Sequence, residues 1–169
     1  ISVGTEHHAV LEPMEWLEGA RGAEFVTIPV NKHGILELGW LDGYLAENGE
    51  RVALISAMWA NNETGVINDI PAVAALGAKY DVPVHSDAVA AMGHTPVDFA
   101  ASGLAAMSFT GHKLGAPVGI GALIVGRRTK LLSLFQGGSQ ERNLRPGTQD
   151  GVGAAALALA TQGSTPLSY

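Results

Sequence analysis

Lys113 and Asp87 are the residues whose types and surroundings first suggest chemistry. Asp87 closes the nearly apolar run Val82–Ser86, and a carboxylate ending a buried strand is unfavourable unless a cation or hydrogen-bond donors meet it. Its plain reading is a cap on the Ala88–Met92 turn. Lys113 follows a second apolar run and lies between Gly111 and Gly115, a setting that a solvated lysine does not need. A surface lysine is nonetheless its plain reading. Taken together, an amine and a carboxylate suit pyridoxal phosphate. The amine attaches to the cofactor's aldehyde, and the carboxylate keeps the pyridine nitrogen protonated so that the ring draws electrons.

The elements that must position these groups alternate in type. Helical spacing of Val10, Leu11, Met14 and Leu17, with Gly22 as a stop, predicts a helix over His8–Arg21. A second helix is expected over Leu38–Glu47, a third from Asp69 to about Tyr80 with Pro71 in its first turn, and a fourth over Val152–Gln162. Strands are expected over Ala23–Val30, Arg51–Trp59, Val82–Ser86, Leu104–Phe109 and Val118–Val125, with Ile1–Gly4 as one already in progress. Gly137–Thr148 reads as a loop, and Trp16 and Trp40 as packing residues on their helices. This alternation means an α/β fold, a three-layer α/β/α domain with a mainly parallel sheet. Ligands of such sheets bind beyond the carboxyl ends of the strands. The polar residues found there are His7, His8, Asn61, Asn62, Asp87, Thr110, His112 and Lys113. His33 and His94 fall in turns and read as solvated.

Composition narrows the class. The chain has 169 residues, 47% of them hydrophobic and 15% charged, enough for one packed domain and unlike a disordered or fibrous chain. A formal charge of −6 offers no basic footprint for nucleic acid or anionic lipid. With no cysteine, the chain carries no disulfide, thiolate metal site or thiol nucleophile of its own. No secretory signal or bilayer-length apolar stretch is read, so a cytoplasmic setting is expected. No metal-ligand spacing is read among the histidines and acids. Gly119-Ile120-Gly121 lacks the third glycine of a dinucleotide fingerprint, and Asn62-Glu63-Thr64 reads as a chance sequon.

Five ordered segments carry a resemblance: Thr5-Glu6-His7-His8-Ala9-Val10-Leu11, Asn61-Asn62-Glu63-Thr64-Gly65, His85-Ser86-Asp87-Ala88, Ser108-Phe109-Thr110-Gly111-His112-Lys113 and Arg145-Pro146-Gly147-Thr148. They resemble the cysteine desulfurases, class V members of the fold-type I pyridoxal-phosphate enzymes, from Ile1 to about Asp150. The resemblance implies that Lys113 attaches the cofactor and shuttles a proton, that Asp87 pairs with the ring nitrogen, and that His7 stacks on the ring and serves with Lys113 as a catalytic residue in acid–base steps. It implies Asn62 at the phenolic oxygen and Thr110 and His112 at the phosphate. Thr148 would reach the phosphate of a neighbouring subunit in a homodimer. A helix beginning near Lys113 would add its dipole. The implied reaction converts L-cysteine to L-alanine and passes sulfur, as an enzyme persulfide, to a scaffold protein for iron–sulfur clusters or to thiolation acceptors.

Two departures stand out. Ala90 occupies the place where the family commonly has a glutamine donating to the cofactor. The persulfide cysteine and the arginine that holds the substrate carboxylate would lie beyond this chain. Residues 1–169 therefore read as a large cofactor-binding domain incomplete at both ends, without the small C-terminal domain. A selenocysteine lyase or another class V aminotransferase would share the same cofactor residues. A truncated association module without catalysis is the reading from a different class.

Overall fold

The computed structural model describes residues 1–163. Its centre is a six-stranded sheet in the order β2-β1-β3-β4-β5-β6. The strands are β1 (Ser2–Val3), β2 (Thr27–Ile28), β3 (Ile55–Ser56), β4 (Val84–Asp87), β5 (Ala106–Thr110) and β6 (Gly121–Val125). All pairings are parallel except β5 with β6, which run antiparallel over five residue pairs. The expected α/β class and mainly parallel sheet are what the chain forms.

Several strands are shorter than their apolar runs suggested, because hydrophobicity marks burial and not the ladder itself. Around β3 the run 51–59 begins in a 3-10 turn, Gly49–Arg51; only Ile55 and Ser56 form the strand, and of these Ser56 alone pairs on both sides. The chain stays extended beyond them, with the Ala57 and Trp59 amides donating to His85 and Asp87 carbonyls at 3.0 and 2.8 Å. Val118 lies outside β6, in a turn where Gly119 takes φ 93°, and is 84% exposed. Gly121 begins the strand because a Cβ there would stand 2.9 Å from the Phe109 carbonyl oxygen. Bare backbones approach closely at this point.

The helices follow the spacing closely. They are α1 (His8–Arg21), α2 (Leu38–Asn48), α3 (Ile70–Lys79), α4 (Phe99–Ser102), α5 (Gln140–Asn143) and α6 (Gly151–Gly163). Asp69 caps α3 by accepting from the Ala72 amide at 3.1 Å, and Asp98 caps the short α4 in the same way. The loop expected over 137–148 contains α5, which is wound the opposite way: Glu141, Arg142 and Asn143 carry φ of 46°, 58° and 65°. The core joins Val3, Ile28, Leu41, Leu45, Ile55, Ile70, Val73 and Met107, all nearly inaccessible. Helix α1 contributes no buried residue to it. Trp16 and Trp40 are accordingly not packing residues: Trp16 is 58% exposed under the Arg21 guanidinium, and Trp40 stacks on Tyr44.

Strand order places the site. The chain steps from β1 outward to β2, then crosses back so that β3 lies on the other side of β1. That reversal opens a crevice at the carboxyl edge between β1 and β3. Register sets which side chains share a face: Ser56 pairs with His85, and Asp87 with Ser108. Two-residue alternation then aligns Ser56, His85, Asp87, Ser108 and Thr110 on one side.

Packing of α3 on β4 gives a direct check. A Cβ on Gly77 would overlap the Val84 side chain and come within 2.7 Å of the Val82 carbonyl oxygen. Gly77→Ala is expected to destabilise the protein by about 1–3 kcal/mol through overpacking. Gly39→Ala, in α2 where a Cβ meets nothing, should stabilise by about 0.5–1 kcal/mol. Urea midpoints moving in opposite directions would verify both.

Candidate functional site

A cavity of about 610 Å³ opens at the carboxyl edge of the sheet. Its lining draws on four connections: His7 after β1, Asn61 and Asn62 after β3, Asp87, Ala90 and His94 at and after β4, and Thr110, His112 and Lys113 at and after β5. A volume of this order accommodates a small organic ligand.

His7, Asn61 and Asp87 are each held by nearby backbone amides. His7 is the N-cap of α1, its Nδ1 accepting from the Ala9 amide at 3.1 Å, which leaves the ring proton on Nε2. This capping role was not read from the sequence, although a polar residue directly before the helix was its signal. Asn61 is buried and organises the loop after β3. Its Oδ1 accepts from the amides of Glu63 and Thr64 and from the Thr64 hydroxyl at 2.8–3.0 Å, and its Nδ2 donates to the Thr5 carbonyl at 2.7 Å. Asn62 is thereby presented at the cavity with its side chain exposed. The two asparagines have separate tasks.

Asp87 is 7% exposed, and its Oδ1 accepts from the Val89 amide at 2.8 Å. The capping reading therefore holds, and it is compatible with a second role because the same carboxylate lines the cavity. Two residues earlier on the same strand, His85 bridges Ser56 and Ser108 through both ring nitrogens, at 2.9 and 3.0 Å. Burial lowers the His85 pKa, with the Asp87 charge opposing, so the ring is neutral at ordinary pH.

Lys113 ends a one-turn 3-10 helix, Gly111–Lys113, and its amine makes no ion pair with a described residue. No longer helix follows, so the expected dipole near Lys113 is absent: the chain turns at Leu114 and Gly115, where Gly115 has φ 90°. Gly111 is buried because a Cβ would meet Ile120 at 2.8 Å and Ala116 at 2.9 Å. Thr110 Oγ1 lies 2.8 Å from His112 Nδ1, joining a hydroxyl and an imidazole at one end of the cavity.

Among the sequence candidates, His7, Asn62, Asp87, Thr110, His112 and Lys113 come together around the cavity. His8 and Thr148 do not line it, and both are exposed. His94 sits in an exposed turn as expected, yet it also lines the cavity, which the sequence did not indicate. Ala90 is on the lining as well.

Glu6 was missed altogether. It is 7% exposed, and neither carboxyl oxygen makes a hydrogen bond. Burial pushes its pKa up to about 8, and the Asp87 charge adds to the rise; the nearby Met58 and His7 amides offset it in part. The signal available was a single acid between Thr5 and His7 at a strand end.

An α/β domain with a lysine and a carboxylate on one cavity at its carboxyl edge is a class of protein shared with known enzymes. Residues 1–156 match the family model "Aminotransferase class-V", and the chain belongs to that family. It is 43% identical over 162 residues to an IscS-like cysteine desulfurase of Mycobacterium tuberculosis, covering 96% of this chain and 41% of that protein. It is 40% identical to a cysteine desulfurase of Gluconacetobacter diazotrophicus, over 96% and 40% of the two chains. Among solved structures, a NifS-like protein superposes with TM-score 0.90 at 33% identity, over 96% of this chain and 44% of that one. DndA from Streptomyces lividans gives 0.85 at 35%, over 95% and 46%. The chain thus spans about two-fifths of the length of these curated relatives. Among the described residues, no helix is long and apolar enough to cross a membrane.

The raised Glu6 pKa carries a sign. The folded protein holds a proton between the ordinary value of 4.5 and about 8 that the unfolded chain releases. Stability is therefore greatest below that window and falls as pH rises through it. Urea midpoints measured across the window should decline in the wild type and decline less in Glu6→Gln; equal slopes would refute the assignment.

Proposed function

We propose that the cavity binds pyridoxal phosphate, and that this chain is the cofactor-bearing part of a cytoplasmic, homodimeric cysteine desulfurase. In this reading L-cysteine becomes L-alanine, and its sulfur passes by an enzyme persulfide to a scaffold or thiolation acceptor. The observation that supports it most is the convergence of Asp87 and Lys113, from different strands, on one 610 Å³ cavity.

The donor set suits the group at each end. Asp87 offers a carboxylate to a protonated ring nitrogen, with Oδ1 already oriented by the Val89 amide. His7 offers a ring fixed by its capping bond, suited to stacking on a planar ligand. Asn62 supplies an amide for a phenolic oxygen, and the Thr110–His112 pair supplies donors for a phosphate. When bound, the cofactor would supply an electron sink for charge developing at the substrate Cα. Lys113 would hold it covalently and carry a proton to and from that carbon through Nζ. With Ala90 on the lining, Asn62 would serve the phenolic oxygen without a neighbouring glutamine.

This chain has no cysteine, so the persulfide thiol belongs to residues outside it. We assign those residues, the substrate-carboxylate arginine and the small domain to the rest of the polypeptide. Thr148, exposed and away from its own cavity, is free to reach a second subunit.

Added pyridoxal phosphate should give the full polypeptide a visible absorbance band that survives dialysis and is lost in Lys113→Ala. Asp87→Ala should weaken retention by about 3–5 kcal/mol, the cost of leaving one buried charge without its partner. A dialysis-stable band in Lys113→Ala, or unaltered retention in Asp87→Ala, would count against these roles.

A further inference from the structure

His94 lines the cavity, and the reading above gives it no task. It enters from the connection after β4, where the chain winds through successive turns. The Ala91 and Met92 amides donate to the Ala88 carbonyl at 3.1 and 2.8 Å, and the His94 and Thr95 amides donate to the Ala91 carbonyl at 3.0 and 2.9 Å. Gly93, with φ 79°, then turns the backbone, and the residue after it lines the same cavity as Asp87 and Ala90. The His94 ring makes no hydrogen bond, ion pair or ring contact with a described residue, and it is exposed, so core packing does not account for its place. Other polar groups of the lining are already engaged. The Asn61 amide serves Thr5, Met58 and its own loop, and Thr110 and His112 meet each other. Ala90, four residues before His94, offers the cavity only a methyl group.

We propose that His94 is a cofactor-binding residue, its ring N–H donating to the phenolic oxygen beside Asn62. The inference rests on the cofactor reading, which assigns Asn62 to that oxygen and leaves it a single side-chain donor. An ionised phenolic oxygen has lone pairs for more than one donor, and a hydrogen bond to a charged oxygen is stronger than one between neutral groups. Asn62 follows β3 and His94 follows β4, which are adjacent in the sheet, so the two donors reach the cavity from neighbouring connections. Ala90 cannot compete for the oxygen, and the free imidazole is the group on this connection able to donate to it.

Full-length protein titrated with pyridoxal phosphate tests this through two readouts, the visible band's maximum and the cofactor's dissociation constant. His94→Ala should move the maximum and weaken retention by roughly 10-fold, the loss of one charge-assisted hydrogen bond, while the urea midpoint stays unchanged. Ala90→Gln added to His94→Ala supplies an amide N–H from the same turn and should restore both readouts, whereas in the wild type it should change them little. Should Ala90→Gln not fold, His94→Gln, which keeps an N–H at the position, should lie nearer the wild type than His94→Ala. A band present in the wild type and unmoved in His94→Ala, or a loss that neither glutamine repairs, overturns the inference and leaves the cofactor reading standing. Absence of any band in the wild type overturns the cofactor reading and this inference with it.

Discussion

Burying the Asp87 carboxylate at the end of a central strand is the constraint around which the site is arranged. The strand is flanked on both sides by parallel neighbours, so the carboxylate cannot turn to water. One oxygen is satisfied locally by the Val89 amide. What remains is a fixed negative charge at the rim of a cavity. Two buried titratable groups respond to it: the charge adds to the rise that burial imposes on the Glu6 pKa and opposes the drop that burial imposes on His85. A charge so placed is retained at a cost in stability, and such sites are where function concentrates.

The rest of the cavity depends on loops that are rigid for reasons of their own. Asn61 ties the β3 connection to Thr5, so the loops after β1 and β3 are fastened together across the point where strand order reverses. His7 is immobilised by capping a helix, and His112 by Thr110. Secondary-structure ends thus double as site walls. Fixing side chains before a ligand arrives lowers the ordering cost of binding.

Much of this was legible in the sequence, and unevenly so. Helix α1 was readable to the residue because the apolar spacing and the Gly22 stop agreed. Asp87 and Lys113 were readable because an apolar run ending in a charge is costly without a purpose. Strand limits were not, since Arg51–Ala53 and Val118 have strand-like chemistry but lie outside the ladder. The one-turn helix at Lys113 escaped prediction because Gly115 reverses the chain just where a longer helix would have begun. Glu6 was invisible for a different reason: a lone acid in a polar loop looks solvated until the fold places it beneath the surface. His94 reached the cavity through the path of the turn after β4, which composition does not encode.

The most direct test of the account is a crystal structure of the full polypeptide grown with pyridoxal phosphate. The account predicts the ring nitrogen within hydrogen-bonding distance of the Asp87 carboxylate, continuous density to Lys113 Nζ, and the phosphate at Thr110 and His112. A cofactor bound elsewhere, or with its nitrogen facing a group other than Asp87, would contradict it.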